Sequence, residues 1–428
     1  MPRKIFSSNL LKTASVYTIG RLINSAIPFL LLPILTRYLN TEEYGQLSMF
    51  NATVSFLVPF VGMSVGTAIQ RKMVEGNDEE SKEYIYNCLL ILLTSTVLTA
   101  VVVFLFSDLL SKYTTIPKKL LSCVVVTTSG SCLFGAALSF YQIKNKPKIY
   151  SVLQNSCTFF NAVLSIILIV FGGMKLSGRI YGITYSTLLF AVVSSLLFYR
   201  FISRKGNKVN KNYIKDEIYN FALPLIPIEI KSTVLTYMDR VFLANMVNVA
   251  TTGVYSLGNQ VSLPLLFIAQ SFNLAFVPWL FMNLKENSDE KKRKIVKISY
   301  IYFAVAILVA VVWSLFSKTM ISIITDTGYE NAHVYVLWLS LGYAFTGMQM
   351  MVVNYIYYSK KLNVYATITT IIMVLNLIFN YVLIKEDGPV GAAEATLICN
   401  IISFLSTWVI SIKIYPMPWL YFLRRKNN

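Results

Sequence analysis

The chain has 428 residues, 55% of them hydrophobic and only 14% charged, at a mean hydropathy of +0.59. Apolar runs of about 20 residues recur from one end to the other, which excludes a soluble globular domain and describes an all-α polytopic membrane protein. The formal charge of +18 would suit nucleic acid if the bases clustered in one domain, but they sit in short tracts between apolar runs, as the positive-inside pattern of membrane proteins requires.

The hydrophobic runs predict twelve transmembrane helices, near 13–35, 44–69, 84–106, 120–141, 149–171 and 180–199, then 219–243, 252–282, 298–316, 334–358, 364–384 and 391–412. The first run follows Arg3, Lys4 and Lys12, is too long for a signal-peptide core and lacks a small-residue cleavage site, so it is expected to be retained as a span. With the N-terminus inside, the inner connections carry 27 of the 38 lysines and arginines and the outer ones 9. This places a multi-pass protein in the cytoplasmic (inner) membrane with both termini cytoplasmic, and the aromatic, basic stretch from Tyr415 to Lys426 suits an inner interfacial anchor. The five cysteines fall in or beside apolar runs without metal spacing and read as packing residues.

In span 1, Tyr17, Arg21, Asn24 and Pro28 share one helical face. Arg21 lies about 13 Å along the helix from Lys12 at roughly 1.5 Å per residue, too deep for simple snorkelling. Span 2 carries Ser48, Asn51 and Ser55, and span 8 carries Ser262, Gln270 and Asn273, each set at helical spacing. Such uncharged stripes either glue helices together or line a pathway for a hydroxyl-rich ligand.

The basic connection at about 200–217 divides the spans into an N-terminal six-helix lobe, 1–205, and a C-terminal six-helix lobe, 206–428. At an offset of 208, Asn40, Gly45, Ser48 and Asn51 align with Asn248, Gly253, Ser256 and Asn259. Asn161 aligns with Asn376, and Gly182 and Thr187-Leu188 with Gly391 and Thr396-Leu397, in the same order at similar offsets. An internal duplication with both copies in one membrane orientation is expected.

Phe221 to Phe267 combines membrane-spanning hydrophobicity with Pro224, Pro227 and Pro264 and with Glu229, Lys231, Asp239 and Arg240. A charge at mid-membrane costs about 2.5 to 3.5 kcal/mol on a translocon scale, so such groups face protein or a water-filled cavity, or sit at helix ends and snorkel. Glu229, Thr233, Thr236 and Arg240 form one stripe, whereas Lys231 projects with Ile228, Val234 and Leu235. Asp239 and Arg240 read equally as functional groups or as solvated interfacial charges, and Glu394, a turn inside span 12, reads as snorkelling. Prolines fall in the interiors of spans 1, 2, 7 and 8 and in no other span, which nominates Pro28, Pro33, Pro224, Pro227 and Pro264 as hinges, with static kinks as the alternative.

No catalytic constellation is present: the single histidine, His333, lies in a connection, and no phosphate loop or ATPase cassette appears. No cofactor and no metal are expected, and energy is expected from a proton or sodium gradient, the membrane potential or the substrate's own disequilibrium.

PILTRYLNTEEYG (Pro33 to Gly45), the ALP of span 7 leading to Asp239-Arg240, TTGVYSLGNQ (Thr251 to Gln260) and GPVGAAEATLI (Gly388 to Ile398) resemble the O-antigen and capsule polysaccharide repeat-unit flippases. These belong to the multidrug/oligosaccharidyl-lipid/polysaccharide exporter superfamily. The resemblance covers essentially the whole chain. It implies two six-helix lobes forming a V around a central cavity, alternating access, and a polyprenyl-pyrophosphate oligosaccharide carried to the outer leaflet. It implies membrane lipids and polysaccharide assembly proteins as partners.

Arg21, with Tyr17 and Asn24 beside it, and Lys231 are similar in type and place to the cationic cavity residues of such flippases. A pyrophosphate needs fixed positive charge in a low-dielectric cavity, and Glu229 and Asp239 are the candidates for ion coupling. Glu394 departs from the usual apolar residue of the GAA-x-AT pattern and takes no family role. A drug/cation antiporter of the same fold would favour acids and aromatics over Arg21. An integral-membrane polysaccharide polymerase would carry a large outer domain, whereas the longest outer connection, about 317–333, is short.

Overall fold

The computed structural model describes residues 8–75, 78–202, 209–286 and 288–420, almost all of them in helices. Helix α1 (Ser8–Tyr38) carries Pro28 and Pro33 in its interior. Asn40 then starts α2 (Thr41–Gly62) with a capping box: its side chain accepts from the Glu43 N–H at 2.8 Å, and the Glu43 carboxylate accepts from the Asn40 N–H at 3.0 Å.

The run predicted as one span over 44–69 is broken. Met63 and Ser64 take left-handed φ values of 44° and 51°, and the chain restarts as α3 (Val65–Glu75), bent by 43°. Pro59 stands just before the break and withholds a backbone N–H, which weakens the last turn of α2. Hydrophobicity alone carries no record of such a break.

α4 (Asp78–Leu105) and the short α5 (Ser107–Thr114) follow, then α6 (Lys118–Ile143). α7 (Pro147–Ile166) starts on a proline, continues as a π-helical turn at Ile167–Phe171, and is followed by α8 (Lys175–Ile202). After the basic connection, Asn210 caps α9 (Lys211–Lys215), and a second π-helical turn, Asp216–Ala222, leads into α10 (Leu223–Met246). α11 (Val249–Glu286), α12 (Asp289–Ile324), α13 (His333–Tyr358), α14 (Leu362–Asp387) and α15 (Val390–Ile414) complete the order.

Nine helices among the described residues are long and apolar enough to cross a membrane, ten if the bent α2–α3 pair is one span. The protein is therefore a polytopic helical membrane protein. α10 has 24 residues, about 36 Å at 1.5 Å per residue, which is ample length. Its four charges, Glu229, Lys231, Asp239 and Arg240, set it apart from the apolar spans.

The chain divides into two compact units, Met1–Asn245 and Met246–Asn428, with the division at the end of α10 and beyond the basic connection at 200–217. α10 is bonded within the first unit: Glu229 accepts from Ser64, and the Asn245 amide donates to the Tyr113 carbonyl. The most enclosed spans are α6 in the first unit and α13 in the second. Each has 61% of its most apolar stretch buried, against 39% or less for the other single-helix spans among the described residues.

α8 crosses α7 at Gly182, where an added Cβ would lie 2.8 Å from the Ser165 Cα, and α15 crosses α14 at Gly391, where it would lie 2.7 Å from the Ile384 nitrogen. Only a residue without a side chain permits either approach.

The second unit closes on an aromatic core of Phe303, Tyr355, Phe404, Trp408 and Trp419. The Tyr300 hydroxyl donates to the Trp419 carbonyl at 3.0 Å. At the start of the C-terminal tail the Trp419 ring meets Tyr300, Tyr355 and Trp408 edge-on; residues 421–428, with the basic part of the expected interfacial anchor, lie outside the described residues.

Candidate functional site

The charged face of α10 is built against the α2–α3 break. The Glu229 carboxylate accepts from the Ser64 hydroxyl at 2.7 Å, so the first predicted coupling carboxylate holds one of the two left-handed residues. The hydroxyls of Thr233 and Thr236 donate back to the carbonyls of Glu229 and Ser232, which quiets the uncharged part of the stripe. Lys231 is half-buried on the neighbouring face.

Asp239 and Arg240 are each only 8% exposed. The reading of them as solvated interfacial charges is corrected: the Arg240 guanidinium turns inward, 3.0 Å from the Asp239 carboxylate, and donates to the Thr236 carbonyl. Pairing the two charges offsets part of the cost of desolvating them. Glu229 and Asp239 stand about 15 Å apart along the helix at roughly 1.5 Å per residue, so they do not form one site.

In α1, the Asn24 amide donates to the Thr158 hydroxyl at 2.5 Å and to the Gln154 carbonyl at 3.4 Å, both on α7. Gly20 makes room for that packing, since a Cβ there would lie 2.9 Å from the Ser151 Cβ. The backbone of Tyr17 and Arg21 belongs to α1, but their side chains lie outside the described residues. Of the nominated prolines, Pro28, Pro33, Pro227 and Pro264 lie inside helices, and Pro224 is the second residue of α10, directly after the π-helical turn.

The two uncharged stripes differ. On α11, Ser262 meets Ser340 at 3.4 Å and Asn273 accepts from the Asn354 amide at 2.9 Å, so these two hold α11 to α13 while Gln270 is exposed. On α2, Asn51 is exposed. Asn259, which aligns with it in sequence, is buried and accepts from the Tyr343 hydroxyl at 2.9 Å. Glu394 is half-buried and interacts with Asp387 at the end of α14.

Sequence reasoning missed two groups. Arg179, counted among the residues of an outer connection, lies inside α8 and donates from one nitrogen to Asn161 at 2.5 Å and to Ser165 at 2.6 Å on α7. Tyr44 lies within electrostatic reach of both Arg179 and Arg240. The available signal was the spacing Arg179–Gly182, a long cation one turn from a close helix crossing. The second group surrounds Glu217, which reads in sequence as one more charge of a solvated connection and is fully buried.

Residues 10–284 match the family model described as polysaccharide biosynthesis protein, and residues 224–382 match the MatE model. A relative from Staphylococcus aureus, "Capsular polysaccharide biosynthesis protein CapF", is 22% identical over 414 residues, covering 93% of this chain and 98% of that one. The "Lsg locus putative protein 1" of Haemophilus influenzae is 23% identical over 405 residues, with the same coverage. Among solved structures, the lipid II flippase MurJ in an inward closed conformation has a TM-score of 0.75 at 14% identity, covering 97% of this chain and 89% of that one. An inward-facing multidrug resistance MATE family transporter has a TM-score of 0.68 at 14% identity, covering 96% and 100%. At these identities the structural likeness speaks for the fold.

Proposed function

The chain belongs to the polysaccharide biosynthesis protein family, and from that membership we propose a transporter that flips a polyprenyl-pyrophosphate-linked oligosaccharide from the cytoplasmic to the outer leaflet for cell-surface polysaccharide assembly. The observation that carries the reading is the family match running from α1 to the end of α11, through every charged position nominated for substrate or coupling. The capsule-related name of the Staphylococcus aureus relative supports the substrate class, and the fold likeness to a lipid II flippase supports the reaction type.

The reading comprises twelve spans in two duplicated six-helix lobes around a central cavity, with the cytoplasmic termini and inner-membrane location that the charge asymmetry gives. The repeated asparagine caps, the paired glycine crossings and the matching enclosure of α6 and α13 support the duplication. Arg21 holds the pyrophosphate by charge-assisted hydrogen bonds with Tyr17, Asn24 and Lys231 around it, while the prenyl tail stays in lipid. Alternating access bends the proline-bearing helices. A proton or sodium gradient, or the membrane potential, drives the cycle through Glu229 or Asp239, and assembly proteins take the unit onward.

The MatE match over residues 224–382 favours a second reading, a drug/cation antiporter. Deleting the gene and analysing lipid-linked sugars separates the two. Complete repeat units held on the inner leaflet carry the flippase reading; normal export with new sensitivity to cationic drugs carries the antiporter. Units that reach the outer leaflet but fail to polymerise point instead to a polymerase.

A further inference from the structure

The segment leading from the basic connection into α10 is fastened to the first unit around a carboxylate withdrawn from solvent. Glu217 is 0% exposed. Its Oε2 accepts from the Tyr84 hydroxyl on α4 and lies 3.7 Å from the Arg71 guanidinium on α3. Its Oε1 is buried with no hydrogen-bond partner among the described residues.

Arg71 is shared among several groups. It donates to the Tyr84 hydroxyl at 3.1 Å, lies 3.9 Å from Asp216, and stands 4.2 Å above the Phe221 ring. Tyr213 meets Tyr84 edge-on at 5.7 Å, Lys72 stands within 6 Å of both rings, and the Cys88 thiol of α4 lies within electrostatic reach of the same carboxylate. Just before α9, the Asn210 N–H donates to the Asn87 side chain at 2.9 Å, and its amide donates to Glu83 at 3.3 Å. Residues 210–221 therefore dock on α3 and α4 through side chains, with Glu217 at the centre.

An ionised carboxylate in this position is poorly served. One oxygen holds the partners found among the described residues, the nearest cation is shared with Asp216 and a ring face, and the other oxygen is buried without one. A neutral acid loses the ion pair but removes the larger penalty of a buried charge. Burial pushes the Glu217 carboxyl up to about 7, and the neighbouring Asp216 adds to the rise, while the Tyr84 bond and the Arg71 charge oppose it.

We propose that Glu217 is a proton-binding site, and that taking up one proton fastens residues 210–221 onto α3 and α4. The sign follows from linkage: the docked carboxyl binds a proton more tightly than an exposed one. Docking therefore strengthens as pH falls from about 7 towards the ordinary value of 4.5, and loosens as pH rises through about 7. Within that window the docking equilibrium changes by up to about tenfold per pH unit. The site lies on the side that the charge pattern assigns to the cytoplasm. It leads directly into the helix whose Glu229 holds the α2–α3 break, so a proton taken up here acts on the same segment that binds Ser64.

The test uses the full chain in lipid nanodiscs and hydrogen exchange of peptides covering 210–221, from about pH 5 to about pH 8.5, corrected for intrinsic exchange. Wild-type protection should fall as pH rises from about 5 and level off near 7. Glu217→Gln, which keeps the neutral form, should retain the acid level of protection throughout. Tyr84→Phe, which deprives the carboxylate of its donor, should move the levelling point upward. An identical pH course in wild type and Glu217→Gln, or an unmoved levelling point in Tyr84→Phe, would overturn the proposal. Should Glu217→Gln not accumulate, the Tyr84→Phe levelling point decides. No step of this measurement depends on transport, so it can fail while the flippase reading stands, and the reverse.

Discussion

Asn40 and Asn248 perform the same task in the two units: each side-chain oxygen accepts from the backbone N–H three residues on, at 2.8 Å from Glu43 and at 2.7 Å from Thr251. Each caps the helix that follows, α2 and α11. Replacing either with alanine should lower stability by about 1 kcal/mol, with Asn40→Ala the more damaging because it also dissolves the capping box with Glu43. Thermal unfolding of the purified variants measures this, and an unshifted midpoint in both would show that the caps are idle.

The glycine crossings are expected to tolerate no side chain. Gly391→Ala sets a methyl against the Ile384 backbone, and Gly182→Ala sets one against Ser165, so folded yield should drop in both, by about 1–3 kcal/mol of stability or more. Gly135 has nothing within 4 Å of an added Cβ and serves as the control; Gly135→Ala should match wild type in the same heated size-exclusion assay. Equal stability of all three would remove the close-approach argument.

Arg21→Ala should abolish export of the lipid-linked oligosaccharide while leaving normal amounts of protein in the membrane, and Arg21→Lys should keep part of the activity, since a point charge replaces a fork matched to phosphate oxygens. The competing account pairs Arg21 with Glu229. That carboxylate already accepts from Ser64, so the structural pair predicts lost abundance rescued by neutralising Glu229. Membrane abundance and export measured together distinguish the two, and normal export by Arg21→Ala ends the substrate role.

Replacing Pro224 and Pro227 together by alanine restores two backbone donors at the start of α10, next to the π-helical turn. Transport should slow more than folded yield falls, because a continuous helix bends less readily. Unchanged transport would count against a hinge at this point.

Single cysteines at Asn207 and Asn331 should label from opposite sides of the membrane, as the charge asymmetry of the connections requires. Labelling from one side alone would dismantle the twelve-span topology.

Composition and the spacing of apolar runs determined that this chain is a helical membrane protein, because lipid leaves a backbone no other way to satisfy its hydrogen bonds than within each span or in a closed barrel. The matching caps and crossings were legible for the same kind of reason. Asn40 and Asn248, or Gly182 and Gly391, do their work through local caps and close crossings that admit few residue types. Tertiary packing decided the rest. Met63 and Ser64 break an apolar run whose hydropathy is continuous, since the αL backbone leaves no mark on side-chain polarity. Asp239 and Arg240 are charged residues near a helix end, and only the surrounding helices turn them inward. Glu217 and Arg179 looked like the charges of connections because burial is set by residues far away in the chain. Glu217 meets Arg71 and Tyr84 from α3 and α4, and Arg179 meets Asn161 and Ser165 from α7. Partners so distant in sequence leave no periodicity to read, so their chemistry emerges only when the helices come together.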